Sequence, residues 1–233
     1  YKTVDEGRNW EELTMPMLPG LQAMRIFIDP KDSNHILFFT QSHDHIYHEN
    51  GSITEVFLEK QHGIIESFDG GKNWTSWGEK FPSPYGAIFD GDISMNNFTH
   101  MIVRPFLFGP KFPPEKTQQK SFYSVDGGKT FQQTQYYIWV GRYDPHDREG
   151  NHLLGFASEN SQVVESQDGG KTWEKLGTPP EIASSKVRVS QFVWDPKDPN
   201  TVYMSGDYGN VWKSTDGGKS WTNILNLDKL PKN

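Results

Sequence analysis

One eight-residue pattern occurs five times in the 233 residues of this chain, and no other feature restricts the fold as strongly. It reads Ser214-Thr215-Asp216-Gly217-Gly218-Lys219-Ser220-Trp221 near the C-terminus, and it recurs from Ser166 to Trp173, from Ser124 to Phe131 and from Ser67 to Trp74. A looser copy runs from Thr3 to Trp10. Each position has a physical task. The Asp-Gly-Gly centre supplies the positive-φ residues that a tight hairpin demands. The carboxylates of Asp5, Asp69, Asp126, Asp168 and Asp216 can accept backbone N–H groups of their own turn. The hydroxyl two residues earlier can tie the same loop. The closing ring (Trp10, Trp74, Phe131, Trp173 or Trp221) brings a large apolar surface back against the hairpin. A second repeat runs in phase with the first: Asp29-Pro30-Lys31-Asp32, Asp144-Pro145-His146-Asp147 and Asp195-Pro196-Lys197-Asp198. Proline after Asp stops a strand and presets a turn.

The eight-residue pattern resembles the Asp-box, or BNR repeat, of β-propeller proteins. That resemblance implies an all-β fold of four-stranded antiparallel blades, with the boxes on the turns between third and fourth strands. Short apolar runs separated by turn signals fit this, and no stretch carries a helical period. Four full blades are expected at 21–78, 89–133, 138–176 and 187–224, led by a partial blade at 1–14. The whole chain, 1–233, then reads as a single Asp-box segment of a larger propeller and a piece of a longer protein. A blade needs roughly 40 residues. The longer first two intervals between boxes hold two insertions, a His-rich one after Thr40 and a proline-rich one from Pro105 to Lys120. Both fall between second and third strands. In an antiparallel blade these connections share a face with the blade-to-blade loops, opposite the boxes. Long loops on a rigid scaffold are where function concentrates.

Composition narrows the function from the other side. The net charge of −7 excludes a nucleic-acid surface as the default partner. The absence of cysteine removes disulfides and thiol chemistry. No apolar run approaches the roughly 18 residues of a membrane span. Sequons at Asn50, Asn73 and Asn97 are as many as an Asn-rich chain yields with little selection, and they decide nothing.

On the loop face, Asp90-Gly91-Asp92-Ile93 resembles the Gly-Asp-Ile entry into an innermost strand of xyloglucanase-type propeller glycosidases. The resemblance implies that Asp92, with Asp90 beside it, is catalytic. Partial desolvation at a channel mouth would raise such a carboxylate toward general-acid use. In those enzymes Asp-Pro follows, whereas Asn96-Asn97 stands here. Tyr85, Tyr136, Tyr137 and Trp139, with Phe106, Phe108 and Phe112, supply rings outside the boxes on which sugars stack. Arg104 joins them as a ligand-binding candidate. Arg25, Arg142 and Arg188 fall on first strands, as in sialidase-type propellers, but Arg25-Ile26-Phe27 lacks the Arg-Ile-Pro of that family. The cluster His43, His45, His48 and Glu49 reads as a solvated loop, because a metal needs three or four convergent ligands. No metal and no cofactor is expected.

Two functions follow from the resemblance. The first is a secreted or cell-surface carbohydrate-active propeller, glycoside hydrolase-like, that acts on or binds a polysaccharide at the face opposite the boxes. The second is a non-catalytic protein-binding propeller, sortilin-like or photosystem assembly factor-like.

Overall fold

The computed structural model describes residues 1–13, 21–47, 49–51, 53–57, 63–77, 88–105, 120–184 and 187–226; in 21–22, 41–47 and 53–57 the backbone alone is described. The chain divides into two compact units, Tyr1–Phe89 and Asp90–Asn233.

The first unit opens with a short hairpin closed by the Lys2–Glu11 bridge. Its sheet has the order β1 (Leu21–Asp29), β2 (Asp32–Tyr47), β4 (Ile64–Ser67) and β5 (Thr75–Ser76). An extra strand, β3 (Ile53–Phe57), pairs antiparallel with the distal half of β2, from His43↔Phe57 to Tyr47↔Ile53. Sequence reasoning ended the second strand at Thr40 and read the His-rich stretch as a loop. Instead β2 continues and turns back as a hairpin, carried by β-prone residues on both arms.

The second unit holds three sheets, each a four-stranded antiparallel meander. They are β6 (Ile88–Ile93), β7 (Met101–Pro105), β8 (Phe122–Ser124) and β9 (Gln132–Gln133); β10 (Ile138–Tyr143), β11 (Leu153–Ala157), β12 (Gln162–Ser166) and β13 (Glu174–Lys175); and β14 (Val189–Trp194), β15 (Val202–Gly206), β16 (Val211–Ser214) and β17 (Thr222–Leu225). The start of β6 is contributed by the last residues of the first unit.

Every full repeat is fastened in the same way. The first glycine of the box donates its N–H to the turn between the first two strands: Gly70 to Asn34, Gly127 to Thr99, Gly169 to Asn151 and Gly217 to Asn200, each at 2.9 Å. Boxes and first-to-second turns therefore share one side of each sheet, and the second-to-third connections leave from the other. Within the box, the Ser67, Ser124, Ser166 and Ser214 hydroxyls accept the second glycine N–H at 2.8–2.9 Å and donate to the Asp carboxylate. The four full boxes put both glycines at positive φ. The looser box places Glu6 there instead, at φ 60, a conformation strained for a residue with a Cβ.

Packing separates the sheets. In β11 every residue is buried, as in a strand covered on both faces, whereas β14 alternates buried with exposed. The core between them joins Val140, Leu154, Phe156 and Val163 to Val189, Phe192, Trp194, Met204 and Trp212. Trp173 lies over Gly155, where a Cβ would come within 2.8 Å of the indole. A side chain on that strand position would displace the box ring. One helical turn, α1 (Pro180–Ala183), inserts Ile182 into the same core. Its φ is preset by Pro179 and Pro180, and one turn is too short to show a period in sequence.

Candidate ligand-binding site

In the second unit the first strands of successive sheets lie side by side, and their polar residues meet. Arg142 on β10 reaches both neighbours. Its Nη1 and Nη2 donate to Asp90 Oδ2 and Oδ1 at 3.0 and 3.1 Å, a bidentate pair, and its Nε donates to Gln191 Oε1 on β14. A further bond runs to its neighbour's carbonyl, Gly141 O, at 2.7 Å. The Arg142 side chain is 9% exposed and that of Asp90 17%. At this burial a forked guanidinium–carboxylate pair fixes geometry as well as charge.

Asp92 sits two residues further along β6, next to last in the strand, towards the turn side. Its Oδ2 accepts the Tyr143 N–H of β10 at 2.9 Å. The Tyr143 hydroxyl is driven well above its ordinary pKa by full burial, with the Asp92 charge adding to the effect. Asp90 and Asp92 thus both cross from β6 to β10.

The loop-side ends of the same strands carry a different cluster. Arg104, at the end of β7 and 5% exposed, lays its guanidinium 3.8 Å from the centroid of the Trp139 ring. Tyr137 meets Trp139 edge-on at 6.5 Å. Burial pushes the Tyr137 hydroxyl pKa up, opposed by the charge and hydrogen bond of Arg104. Burial likewise lowers the Arg104 pKa, opposed by Tyr137 and Asp90. Arg188, just ahead of β14, is exposed and lies 5.7 Å from the same Trp139 centroid. The loop that carries Tyr136 and Tyr137 is pinned by Glu159, whose carboxylate accepts the Tyr137 N–H at 2.9 and 3.0 Å. Tyr136 is half-buried, with its hydroxyl bonded to Gln135.

Of the residues singled out from sequence, Asp90, Asp92 and Arg142 come together, and so do Arg104, Tyr137, Trp139 and Arg188. Arg25 lies on β1 of the other unit, 5.6 Å from the Phe27 ring. Tyr85, Phe106, Phe108, Phe112 and His48 lie outside the described residues, and of His43 and His45 only the backbone is described. Among the described residues no group of three or more His, Asp or Glu side chains could hold a metal ion. No described helix is long and apolar enough to cross a membrane. Sequence reasoning passed over Gln191 and Tyr143. The only signal for them was their place on first strands, which becomes informative once the neighbouring strand is known.

Within each four-stranded sheet the box turn stays on the side opposite the second-to-third connection, and the five boxes share their local chemistry. Their carboxylates are held low, with Asp5 at about 2 through the Asn9 backbone and side-chain bonds, and Asp216 at about 2 chiefly through the Ser220 hydroxyl. Their rings are not equivalent. Trp173 is 5% exposed, whereas Trp10 is 60% exposed. Trp10, Trp74 and Trp173 donate Nε1–H to a glycine carbonyl of their own box, while Trp221 donates to Gly177 of the preceding repeat at 3.1 Å.

A family profile described as BNR/Asp-box repeat matches residues 164–175, the strand and turn of the fourth box. The chain thus carries an Asp-box repeat. Over 113 residues it is 26% identical to a probable oligoxyloglucan-reducing end-specific xyloglucanase of Neosartorya fischeri, covering 44% of this chain and 14% of that protein. Over 110 residues it is 24% identical to the oligoxyloglucan-reducing end-specific xyloglucanase of Emericella nidulans, covering 43% and 14%. The aligned stretch is thus a small part of those curated relatives. Among solved structures, YCF48 bound to D1 peptide aligns with a TM-score of 0.59 at 17% identity, covering 98% of this chain and 61% of that one. The Niastella koreensis GH74 enzyme aligns with a TM-score of 0.54 at 17% identity, covering 90% and 30%. At such identities the structures establish the fold: the four sheets are β-propeller blades.

Proposed function

We propose that this Asp-box protein is a polysaccharide-binding propeller of the glycosidase-like kind, secreted or displayed at the cell surface, and that its contact surface is the loop side of the blades. The observation that carries this reading is the cluster of Trp139, Tyr137, Arg104 and Arg188 at the loop-side ends of β7, β10 and β14. A half-buried ring and hydrogen-bonding cations on rigid strands are what a sugar chain needs: an apolar edge and fixed polar groups. The curated relatives act on oligoxyloglucan by their names, which supports the ligand class. Tyr136 extends the proposed surface along the adjoining loop.

Within this reading, Asp90 and Asp92 position strands. Both Asp90 oxygens accept from the Arg142 guanidinium, which holds that carboxylate between β6 and β10. The Asp92 carboxylate accepts the Tyr143 N–H, which holds it against the same strand. Affinity electrophoresis of the full chain through gels containing soluble neutral and acidic plant or microbial polysaccharides tests the proposal. Retardation by at least one polysaccharide, lost in Trp139→Ala with the melting temperature checked alongside, is the expected result. Migration unaffected by any of them would remove the reading.

A second reading rests on one observation. The YCF48 structure that covers nearly all of this chain is bound to a peptide. On that reading the same loop-side surface is a protein interface.

A further inference from the structure

We propose that Arg188 and the Trp139–Arg104 pair form a carboxylate subsite, so that the polysaccharide taken by the loop side is an acidic one carrying uronic acid residues. This rests on the polysaccharide-binding reading above and narrows its ligand class.

The geometry begins with Arg188. Its backbone is held from two directions: its carbonyl accepts the Asp207 N–H at 3.0 Å, and it packs so closely on Gly206 that a Cβ there would lie 2.8 Å from Arg188 O. The side chain springs from a fixed point into solvent. Among the described residues no carboxylate forms an ion pair with it. Its described neighbour is the Trp139 ring at 5.7 Å, and that ring already carries the Arg104 guanidinium at 3.8 Å. Two cations thus converge on one indole, drawn by its electron-rich face. Asp90, on a first strand of the same unit, is taken by Arg142 through both oxygens. Among the described residues Arg188 thus has no ion-pair partner, in a chain whose net charge is −7.

An exposed guanidinium held beside a ring is prepared for a planar anion. The ring limits its rotamers, so less freedom is lost when a carboxylate accepts its N–H groups. The Trp139 face covered by Arg104 is closed to a stacking pyranose, which shifts recognition at this point from stacking to charge. A single guanidinium suits an isolated carboxylate.

The test is calorimetric titration of the full chain with a defined oligogalacturonate and with a neutral β-glucan oligosaccharide of the same length, at about 0.05 M and about 0.3 M salt. Two variants carry the same loss of one positive charge: Arg188→Gln at the site, and Arg148→Gln on an exposed turn of the opposite side. Arg188→Gln is expected to weaken oligogalacturonate binding about ten-fold or more, with the melting temperature unchanged. Arg148→Gln should leave it as in wild type, and the effect of Arg188→Gln should shrink at the higher salt. Equal affinity for both oligosaccharides, indifferent to Arg188→Gln, overturns the carboxylate subsite and leaves the polysaccharide reading standing. Binding of an acidic peptide, dependent on Arg188, with neither oligosaccharide bound, overturns both.

Discussion

The first hydroxyl of the box, Ser214, should matter more than Ser220, which precedes the closing ring, although both bond to the same carboxylate. Ser214 is 1% exposed. Its Oγ accepts the Gly218 N–H at 2.8 Å and the Asp216 N–H at 3.3 Å, and it donates to Asp216 Oδ1 at 2.7 Å. Ser214→Ala leaves the buried Gly218 N–H without an acceptor and costs about 1–3 kcal/mol, the range for an unsatisfied buried donor. Ser220 donates to Asp216 Oδ2 from an exposed position, where water replaces it. Ser220→Ala should therefore cost only about 0.5–1 kcal/mol. The equivalent Ser166, also 1% exposed with Gly170 N at 2.9 Å, should reproduce the Ser214 result in the preceding blade. Urea denaturation of the full chain followed by tryptophan fluorescence measures both, with the slope checked so that a shifted midpoint reports stability alone. Equal costs for Ser214→Ala and Ser220→Ala, or a larger cost for the exposed residue, would refute the argument that an orphaned backbone donor dominates.

Acid should loosen the boxes late. The carboxylates of Asp5, Asp69, Asp126 and Asp216 are lowered to about 2, so their contribution is full above the ordinary carboxylate range and is lost as pH falls through about 2; melting temperatures recorded from pH 5 downwards should show it. His152 should act in the opposite sense. Burial alone would lower its pKa, but Asp144 at 2.8 Å, with Glu165 and Asp147, raises it; its contribution is present below about 6.5 and lost as pH climbs through the raised value, and His152→Gln should flatten that part of the melting profile. Arg142→Met should cost about 3–5 kcal/mol in the same urea assay, because it strands the Asp90 carboxylate between strands.

Much of this architecture is written in short-range signals. Asp, two glycines and a hydroxyl at fixed spacing determine a turn within eight residues, so the turns could be read from spacing, while their place between third and fourth strands was what the Asp-box resemblance implied. The hydrogen bond from each box glycine to the first-to-second turn follows from the same antiparallel order. What escaped depends on longer range or on ambiguity. His43 to Tyr47 are polar enough to read as loop, yet they pair with Ile53 to Phe57 once a hairpin closes. The pairing of Arg142 with Asp90 joins residues of different sheets, and no periodicity along one strand announces it. The resemblance of Asp90-Gly91-Asp92-Ile93 to a catalytic entry pointed to these carboxylates, but their bonds to Arg142 and Tyr143 are visible only with the neighbouring strand in place. Arg188 was noted as one of several first-strand arginines, and its approach to Trp139 sets it apart.

The most direct test of the account separates binding from hydrolysis. The full-length protein is titrated with the polysaccharide that retards it, while reducing-end release is followed in the same samples, for wild type, Trp139→Ala and Asp92→Asn. The account predicts saturable binding by wild type and Asp92→Asn, loss of binding by Trp139→Ala, and no reducing ends from any of them. Reducing ends released by wild type and abolished in a folded Asp92→Asn would contradict it and return Asp92 to the reaction.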